Sequence, residues 1–331
     1  MKAILIKDDE RRSLIWTNVP DPCIGSDEIL IEIHAAALNR ADLMQRAGDY
    51  PPPEGCPEWM GLEVAGVIVA IGDVAESESQ WKIGDKVCAL LGGGGYAEYV
   101  AVRYDMAMPV PSNCSMIQAA AIPEAFATSY LNLFIEGNAK DGETLLMNAG
   151  ASGLASVLIP MAKAFGLRVI TTVLTQKIAD SLGHLNADRV IVTEKESIAD
   201  VMKRELAAGH GVDIAIDCLG GPAVSECLPY MERDGRWIII ATLAGDEALI
   251  DMKLMYKHSL RIIGNTLRAR TPAMKARILS ALVRDVWPKV VRGEVMPTIY
   301  KTFPIEQAEE AQAILQRGEN VGKVVLVVKE K

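Results

Sequence analysis

The sequence predicts an α/β protein built as a β-rich domain plus a doubly wound parallel-sheet domain, and three observations predict it. Its 331 residues exceed what one hydrophobic core usually serves, while 50% apolar content supplies material for two. As far as Ile122 the chain is rich in short β-type runs punctuated by Gly and Pro. From Pro123 the rhythm changes to strand, helix, strand, as in a βαβ repeat.

The early runs are Ile29 to Ile33, Val64 to Ile71, Lys86 to Leu90 and Tyr99 to Val102. Then come Thr144 to Met147, a helical stretch Gly153 to Phe165, Val169 to Val173, Val190 to Val192, Ile214 to Ile216 and Trp237 to Ala241. Continuously apolar strands between helices indicate a parallel sheet covered on both faces, because neither side meets water. After Ile263, helical stretches near Ala273 to Val291 and Ile305 to Arg317 precede a closing strand, Lys323 to Val328. That strand lies outside the parallel repeat, and the simplest arrangement returns it to the first domain. The expected domains are therefore residues 1–122 with 264–331, and an inserted 123–263.

A net charge of −9 with no basic stripe argues against a nucleic-acid surface, since phosphate backbones are held by clustered Lys and Arg. No stretch reaches the roughly 18 apolar residues of a membrane span, and the N-terminal run is too short for a signal peptide. A cytosolic location follows as the default. Six scattered cysteines form no C-x-x-C pair and no disulfide framework, and read as small buried hydrophobes. The four histidines (His34, His184, His210, His258) sit in no nucleophile or ligand motif and read as structural or exposed.

Leu145-Leu146-Met147 leads into Asn148-Ala149-Gly150-Ala151-Ser152-Gly153-Leu154-Ala155, followed by apolar residues at helical spacing. A glycine-rich strand-to-helix turn lets backbone approach a diphosphate, whose charge then rests on free N–H groups at the helix start. Such a turn alone is a weak signal, and its place after the first strand of a parallel repeat strengthens it. The second strand ends Thr171-Thr172-Val173-Leu174-Thr175-Gln176-Lys177 without the carboxylate that NAD-binding domains use for the ribose hydroxyls. A cation and hydroxyls suit a 2′-phosphate, so NADPH is expected over NADH; Lys177 as an ordinary solvated helix residue is the alternative. Gly92 to Gly95 reads either as a loop close to a ligand or as a turn between strands. Asp217, after the fourth parallel strand, faces a ligand crevice or caps a helix. Pro160 falls inside a helical stretch, at a cost of roughly 3 kcal/mol unless the helix kinks.

The segments Asn39-Arg40-Ala41-Asp42-Leu43-Met44-Gln45-Arg46, Gly48-Asp49-Tyr50, Gly61-Leu62-Glu63-Val64-Ala65-Gly66, Trp81-Lys82-Ile83-Gly84-Asp85, Ala119-Ala120-Ala121-Ile122-Pro123-Glu124-Ala125 and Asn320-Val321-Gly322-Lys323-Val324-Val325-Leu326 carry a resemblance. The whole chain resembles the quinone oxidoreductase branch of the medium-chain dehydrogenase/reductase superfamily, the group that includes zeta-crystallin. It is most similar to the tumour-suppressor-inducible quinone oxidoreductases. The resemblance implies a GroES-like β-rich catalytic domain, a Rossmann domain, NADPH in the cleft between them, and a homodimer joined through Ser259 to Gly264.

In the zinc enzymes of that superfamily a Cys and a His would stand at Asn39 and Leu62. Without a Lewis acid, polarising an alcohol or carbonyl is difficult, and acceptors already electron-poor are favoured. The resemblance places Tyr50 and Ser152 beside the nicotinamide, and Asn39 and Thr128 along the same cleft. Leu243 lies at its floor, and Asn265 to Arg270 close over the cofactor. Catalysis is thereby expected of Tyr50, Ser152 and Asn39. Cofactor contacts are expected from Thr128, Gly150, Ala151, Ser152, Gly153, Leu154, Thr175, Lys177, Thr193, Cys218, Leu243 and Asn320. The chain departs from relatives at Leu174, Ile178 and Thr193, where they carry glycine, lysine and tyrosine around the 2′-phosphate, and also at Ala155 and Pro160.

The expected activity is hydride transfer from NADPH, or from NADH, to a quinone, with no metal. The alternatives are reduction of an enone or enal, and nucleotide binding with little turnover. Aromatic residues make up only 5% of the chain, so few rings besides Tyr50 and Trp59 can face a flat acceptor. Between these two, Pro51-Pro52-Pro53 restricts the backbone, as a pocket lip or as a rigid surface turn.

Overall fold

The computed structural model describes residues 1–329. Its strands in chain order are β1 (Lys2–Ile6), β2 (Leu14–Asn18), β3 (Glu28–Ala37), β4 (Glu63–Ile71), β5 (Lys86–Leu90), β6 (Tyr99–Arg103), β7 (Ala107–Pro109), β8 (Thr144–Met147), β9 (Arg168–Val173), β10 (Arg189–Val192), β11 (Val212–Asp217), β12 (Met231–Ile239), β13 (Arg261–Gly264), β14 (Ile299–Pro304) and β15 (Lys323–Val327). The chain divides into a first unit, Met1–Ala127 with Arg268–Gly293 and Pro297–Lys331, and a second, Thr128–Leu267 with Glu294–Met296.

In the first unit a seven-stranded sheet runs β14-β15-β3-β4-β5-β7, with β6 also paired to β3. β3 is the organising strand: Ile29, Ile31 and Ile33 are buried while their neighbours are half-exposed, the period of a strand with one core face. β15 pairs antiparallel with β3 through Val325, Leu326 and Val327, so the late strand completes the early sheet.

The second unit holds a six-stranded parallel sheet in the order β10-β9-β8-β11-β12-β13. The order reverses between β8 and β11, which opens a crevice at their carboxyl ends. Leu146, Ile170, Ile191, Ala215 and Trp237 pack in the core beside this sheet. The helix after β8, Ala155–Ala164, runs through Pro160, whose ring stands at a half-buried position.

Three elements differ from the sequence expectation for identifiable reasons. β12 begins at Met231 rather than Trp237, and the charged side chains along it have specific partners: Arg233 donates to Lys257 O at 3.0 Å. Arg236 donates to Glu143 Oε1 and Oε2 at 2.9 and 2.8 Å and to Gly137 O at 2.7 Å. The helix expected from Ala273 to Val291 divides into Pro272–Asp285 and Trp287–Val291, with Pro288 in the first turn of the second. The cysteines are mixed rather than uniformly interior. Cys88 and Cys227 are buried, Cys56, Cys114 and Cys218 half-buried, and Cys23 exposed. Burial pushes the Cys227 thiol up to about 12 and Cys88 higher still. Among the described residues, no helix is long and apolar enough to cross a membrane.

The glycine run is packed rather than open. Gly94 N–H donates to Trp59 O, Gly95 N–H to Gly61 O and Tyr96 N–H to Met60 O, while the Trp59 indole donates to Gly94 O at 3.0 Å. Gly61 has φ +108, and a Cβ there would lie 2.6 Å from the Gly95 backbone. Its own N–H donates to Asp42 Oδ1 at 3.1 Å. Gly61→Ala therefore combines left-handed strain with a backbone clash, and urea unfolding should show a loss of about 2 kcal/mol or more.

Candidate active site

The crevice of the second unit is built from the turn after β8. Ala149 takes a left-handed φ of 55, and a Cβ on Gly150 would meet Thr171 Oγ1 at 2.4 Å. Only glycine lets this turn lie against β9. The N–H groups of Ala149 and Gly150 donate to Thr172 Oγ1 and O, that of Ser152 to Ala149 O, and that of Ala155 to Ser152 Oγ at 3.1 Å. Among the described residues this leaves the N–H groups of Ala151, Gly153 and Leu154, at the start of a ten-residue helix, for an anion. That arrangement fits a dinucleotide diphosphate.

At the ends of β9 and β10, Thr175 Oγ1 accepts from Ile178 N–H, and Thr193 donates to Val173 O through both its N–H and its hydroxyl. Lys177 and Leu174 are exposed. The structure adds two charges that the strand-end pattern did not reveal. Glu194 Oε1 accepts from Gln176 N–H at 3.0 Å, and Lys195 Nζ donates to Gln176 Oε1 at 2.9 Å. Both come from the turn after β10, and sequence distance hid their approach to Gln176.

Asp217 does not cap the following helix, which starts from Gly221. Its carboxylate accepts from Asn148 Nδ2, Leu219 N–H, Gly220 N–H and Trp237 Nε1 at 2.8–3.2 Å, which fixes the loop beyond β11. Leu243 N–H donates to Cys218 O at 3.1 Å and so brings these two sequence-predicted residues together. Thr128 lies just before a wide helical turn, Leu131–Glu136, whose Asn132 Nδ2 donates to Thr128 O at 2.8 Å. Asn132 Oδ1 in turn accepts from Asn265 Nδ2 at 2.8 Å.

In the first unit, Asn39 precedes the helix Arg40–Ala47 and is bound on every side. Its N–H donates to Asp42 Oδ2 at 2.7 Å, its Nδ2 to Glu63 Oε1 at 3.0 Å, and its Oδ1 accepts from Lys323 Nζ at 2.7 Å. Lys323 also donates to Leu38 O at 2.8 Å and pairs with Glu63 Oε1 at 2.6 Å, with both side chains buried. Asp42 receives Gly61 N–H and Tyr96 O–H. Leu62, buried beside them, offers no donor atom. Among the described residues no cluster of three His, Cys, Asp or Glu could hold a metal.

Tyr50 lies in the same unit. The Arg268 guanidinium stands 4.6 Å over its ring and donates to Tyr50 O, Gly92 O and Gln45 Oε1. Asn320, predicted with the cofactor set, also belongs to this unit, and its amide donates to Gly322 O at 2.7 Å. Glu63, Lys323 and Arg268 were missed as site residues although they lie in or beside quoted segments. Buried charge is visible only once its partners are placed.

Glu124 N–H donates to Glu63 Oε2, which leaves the Glu124 carboxyl near that charge. Burial, then Glu63, raises its pKa to about 7, and burial raises Asp42 to about 6. Folding thus favours the protonated acid. The stabilisation is complete below the ordinary carboxyl range and is lost as pH rises through about 7. Melting curves of wild type and Glu124→Gln should therefore diverge from pH 5 to pH 8, the glutamine variant gaining relative stability.

Two family models match successive parts of the chain. The alcohol dehydrogenase GroES-like domain covers residues 25–112, and the zinc-binding dehydrogenase domain covers residues 153–283. The quinone oxidoreductase-like protein 2 homolog of Nematostella vectensis is 29% identical over 93% of this chain and 83% of its own length. The lovastatin diketide synthase lovF of Aspergillus terreus is also 29% identical, over 92% of this chain but only 12% of that protein. A mycobacterial quinone oxidoreductase structure superposes with a TM-score of 0.85 at 25% identity, covering 99% of this chain and all of that one. With its GroES-like and parallel-sheet architecture, the chain belongs to the medium-chain dehydrogenase/reductase superfamily of oxidoreductases.

Proposed function

We propose that this protein is an NADPH-dependent, metal-independent quinone reductase. The observation that carries the reading is the buried ammonium of Lys323, bound to Asn39 Oδ1 and Glu63 Oε1 where a catalytic zinc would need free ligands. A metal cation would have to displace that ammonium and find a donor in Leu62, so this donor set does not fit zinc. Relatives named quinone oxidoreductases support the same acceptor class.

When bound, the dinucleotide supplies a hydride from nicotinamide C4. The chain's work is to hold and orient. Ala151, Gly153 and Leu154 offer N–H groups to the diphosphate, and Lys177 with Lys195 offers cations to an adenosine phosphate against the single charge of Glu194. Thr128, Cys218 and Leu243 would line the crevice in the second unit. A quinone that takes hydride becomes a phenolate stabilised by its ring, and a proton from water completes the hydroquinone. Ser152 Oγ, which accepts from Ala155 N–H, retains its own proton to donate to that oxyanion. Asn39 acts through the network that fixes Lys323. The subunits form a homodimer through β13, an edge strand that among the described residues pairs only with β12. Six free cysteines suit the reducing cytosol.

Fluorescence titration with NADPH and NADH, followed by turnover with a para-quinone, an ortho-quinone and an enone, tests the reading. NADPH should bind more tightly, a quinone should turn over fastest, and EDTA should leave the rate unchanged. Tight coenzyme binding without oxidation by any acceptor would instead indicate a nucleotide-binding protein. Lys177→Glu should weaken NADPH roughly ten-fold while leaving NADH within about two-fold, given the strength of charge-assisted phosphate contacts.

A further inference from the structure

The most exposed apolar side chains lie close together in the second unit. Leu249, Met252 and Tyr256 are 86%, 73% and 70% exposed, more than any other large hydrophobic among the described residues. Met252 and Tyr256 stand four apart in the helix Met252–His258 and so share one face, while Leu249 comes three residues earlier. The other face is packed. Leu254 and Met255, with Ile250 and Ile262, lie against the core beside the parallel sheet. Singly exposed hydrophobics are ordinary, whereas a cluster this exposed marks an interaction surface.

Two features identify its partner as a second copy of this chain. The helix leads directly into β13, whose outer edge is open among the described residues, so the apolar face continues the edge proposed for the homodimer. A two-fold axis perpendicular to the sheet, between paired β13 strands, keeps both helices on one side and brings their apolar faces together. The surrounding charges are self-complementary in that arrangement. Exposed Asp246, Glu247 and Asp251 precede the helix, and exposed Lys253, Lys257, His258 and Arg261 run along and beyond it. Antiparallel apposition sets the acidic start of one against the basic end of the other.

The same segment reaches the crevice. Leu243 N–H donates to Cys218 O, Ala244 N–H donates to Leu219 O at 2.8 Å, and Gly245 bridges to Gly220. Between these contacts and the Asp251 cap, residues 247–250 make no hydrogen bond among the described residues. Resting on the homodimer and dinucleotide readings above, we propose that a second copy covers Leu249, Met252 and Tyr256 and thereby orders residues 242–250, so that dimer formation and coenzyme binding strengthen each other. The loop loses its freedom once. Whichever binding event comes second then meets a crevice floor already ordered.

Sedimentation over a range of protein concentrations reads the dimer, and fluorescence titration reads NADPH and NADH. Met252→Asp combined with Tyr256→Asp should raise the dimer dissociation constant roughly a hundred-fold, because two-fold symmetry places four carboxylates in one apolar face. Both side chains are exposed, so the variant should keep the wild-type circular dichroism spectrum. Its monomer should bind coenzyme about ten-fold more weakly than the wild-type dimer, and saturating coenzyme should tighten that dimer in turn. Wild type titrated above and below its own dimer dissociation constant repeats the comparison without any substitution. A double variant that dimerises like wild type overturns the proposal and leaves a dimer through β13 standing. Equal coenzyme affinity of monomer and dimer also overturns it. Wild type that stays monomeric at every concentration overturns the homodimer reading, wild type that binds neither coenzyme overturns the dinucleotide reading, and the proposal falls with either.

Discussion

The buried pair of Lys323 and Glu63 constrains everything around it in the first unit. Two charges taken out of water are tolerable only when their remaining donors and acceptors are met. Here the ammonium spends its three protons on Leu38 O, Asn39 Oδ1 and Glu63, while Glu63 also receives Asn39 Nδ2 and Glu124 N–H. The result ties the end of β3, the start of β4, the helix beginning at Pro123 and β15 into one electrostatic knot. In a superfamily that often places a metal at such a point, this chain holds an internal cation. An ammonium whose protons are all engaged cannot ligate and polarise a substrate oxygen.

The second unit solves a different problem, that of offering unpaired groups without losing its own stability. Asp217 is fully occupied by four donors, and Thr171 and Thr172 anchor the turn against β9. Because these groups are satisfied internally, three backbone N–H groups can be left open at the sheet edge. Rigidity beneath the crevice is what makes openness above it affordable.

The fold was largely legible in the sequence because it is written in apolar periodicity. Thr144–Met147 and Lys86–Leu90 are strands over the very residues expected, as continuous or alternating hydrophobic runs allow. β12 starts earlier than its apolar run because Glu232, Arg233 and Asp234 look like loop, while Arg233 and Arg236 find partners far along the chain in Lys257 O and Glu143. The glycine-rich turn stood out through composition. Glu194 and Lys195 did not, because each acts on Gln176, far away along the chain.

The placement of β15 next to β3 has a temporal consequence. Residues that belong to the early sheet are separated by the whole parallel-sheet unit, so loop closure across that distance precedes completion of the first core. Until β15 arrives, Glu63 lacks its counter-ion, and the β-rich half is an incomplete shell holding an uncompensated negative charge. The parallel sheet, whose strands are consecutive, can assemble during synthesis, whereas the half bearing Asn39 and Tyr50 must wait for Lys323 to emerge.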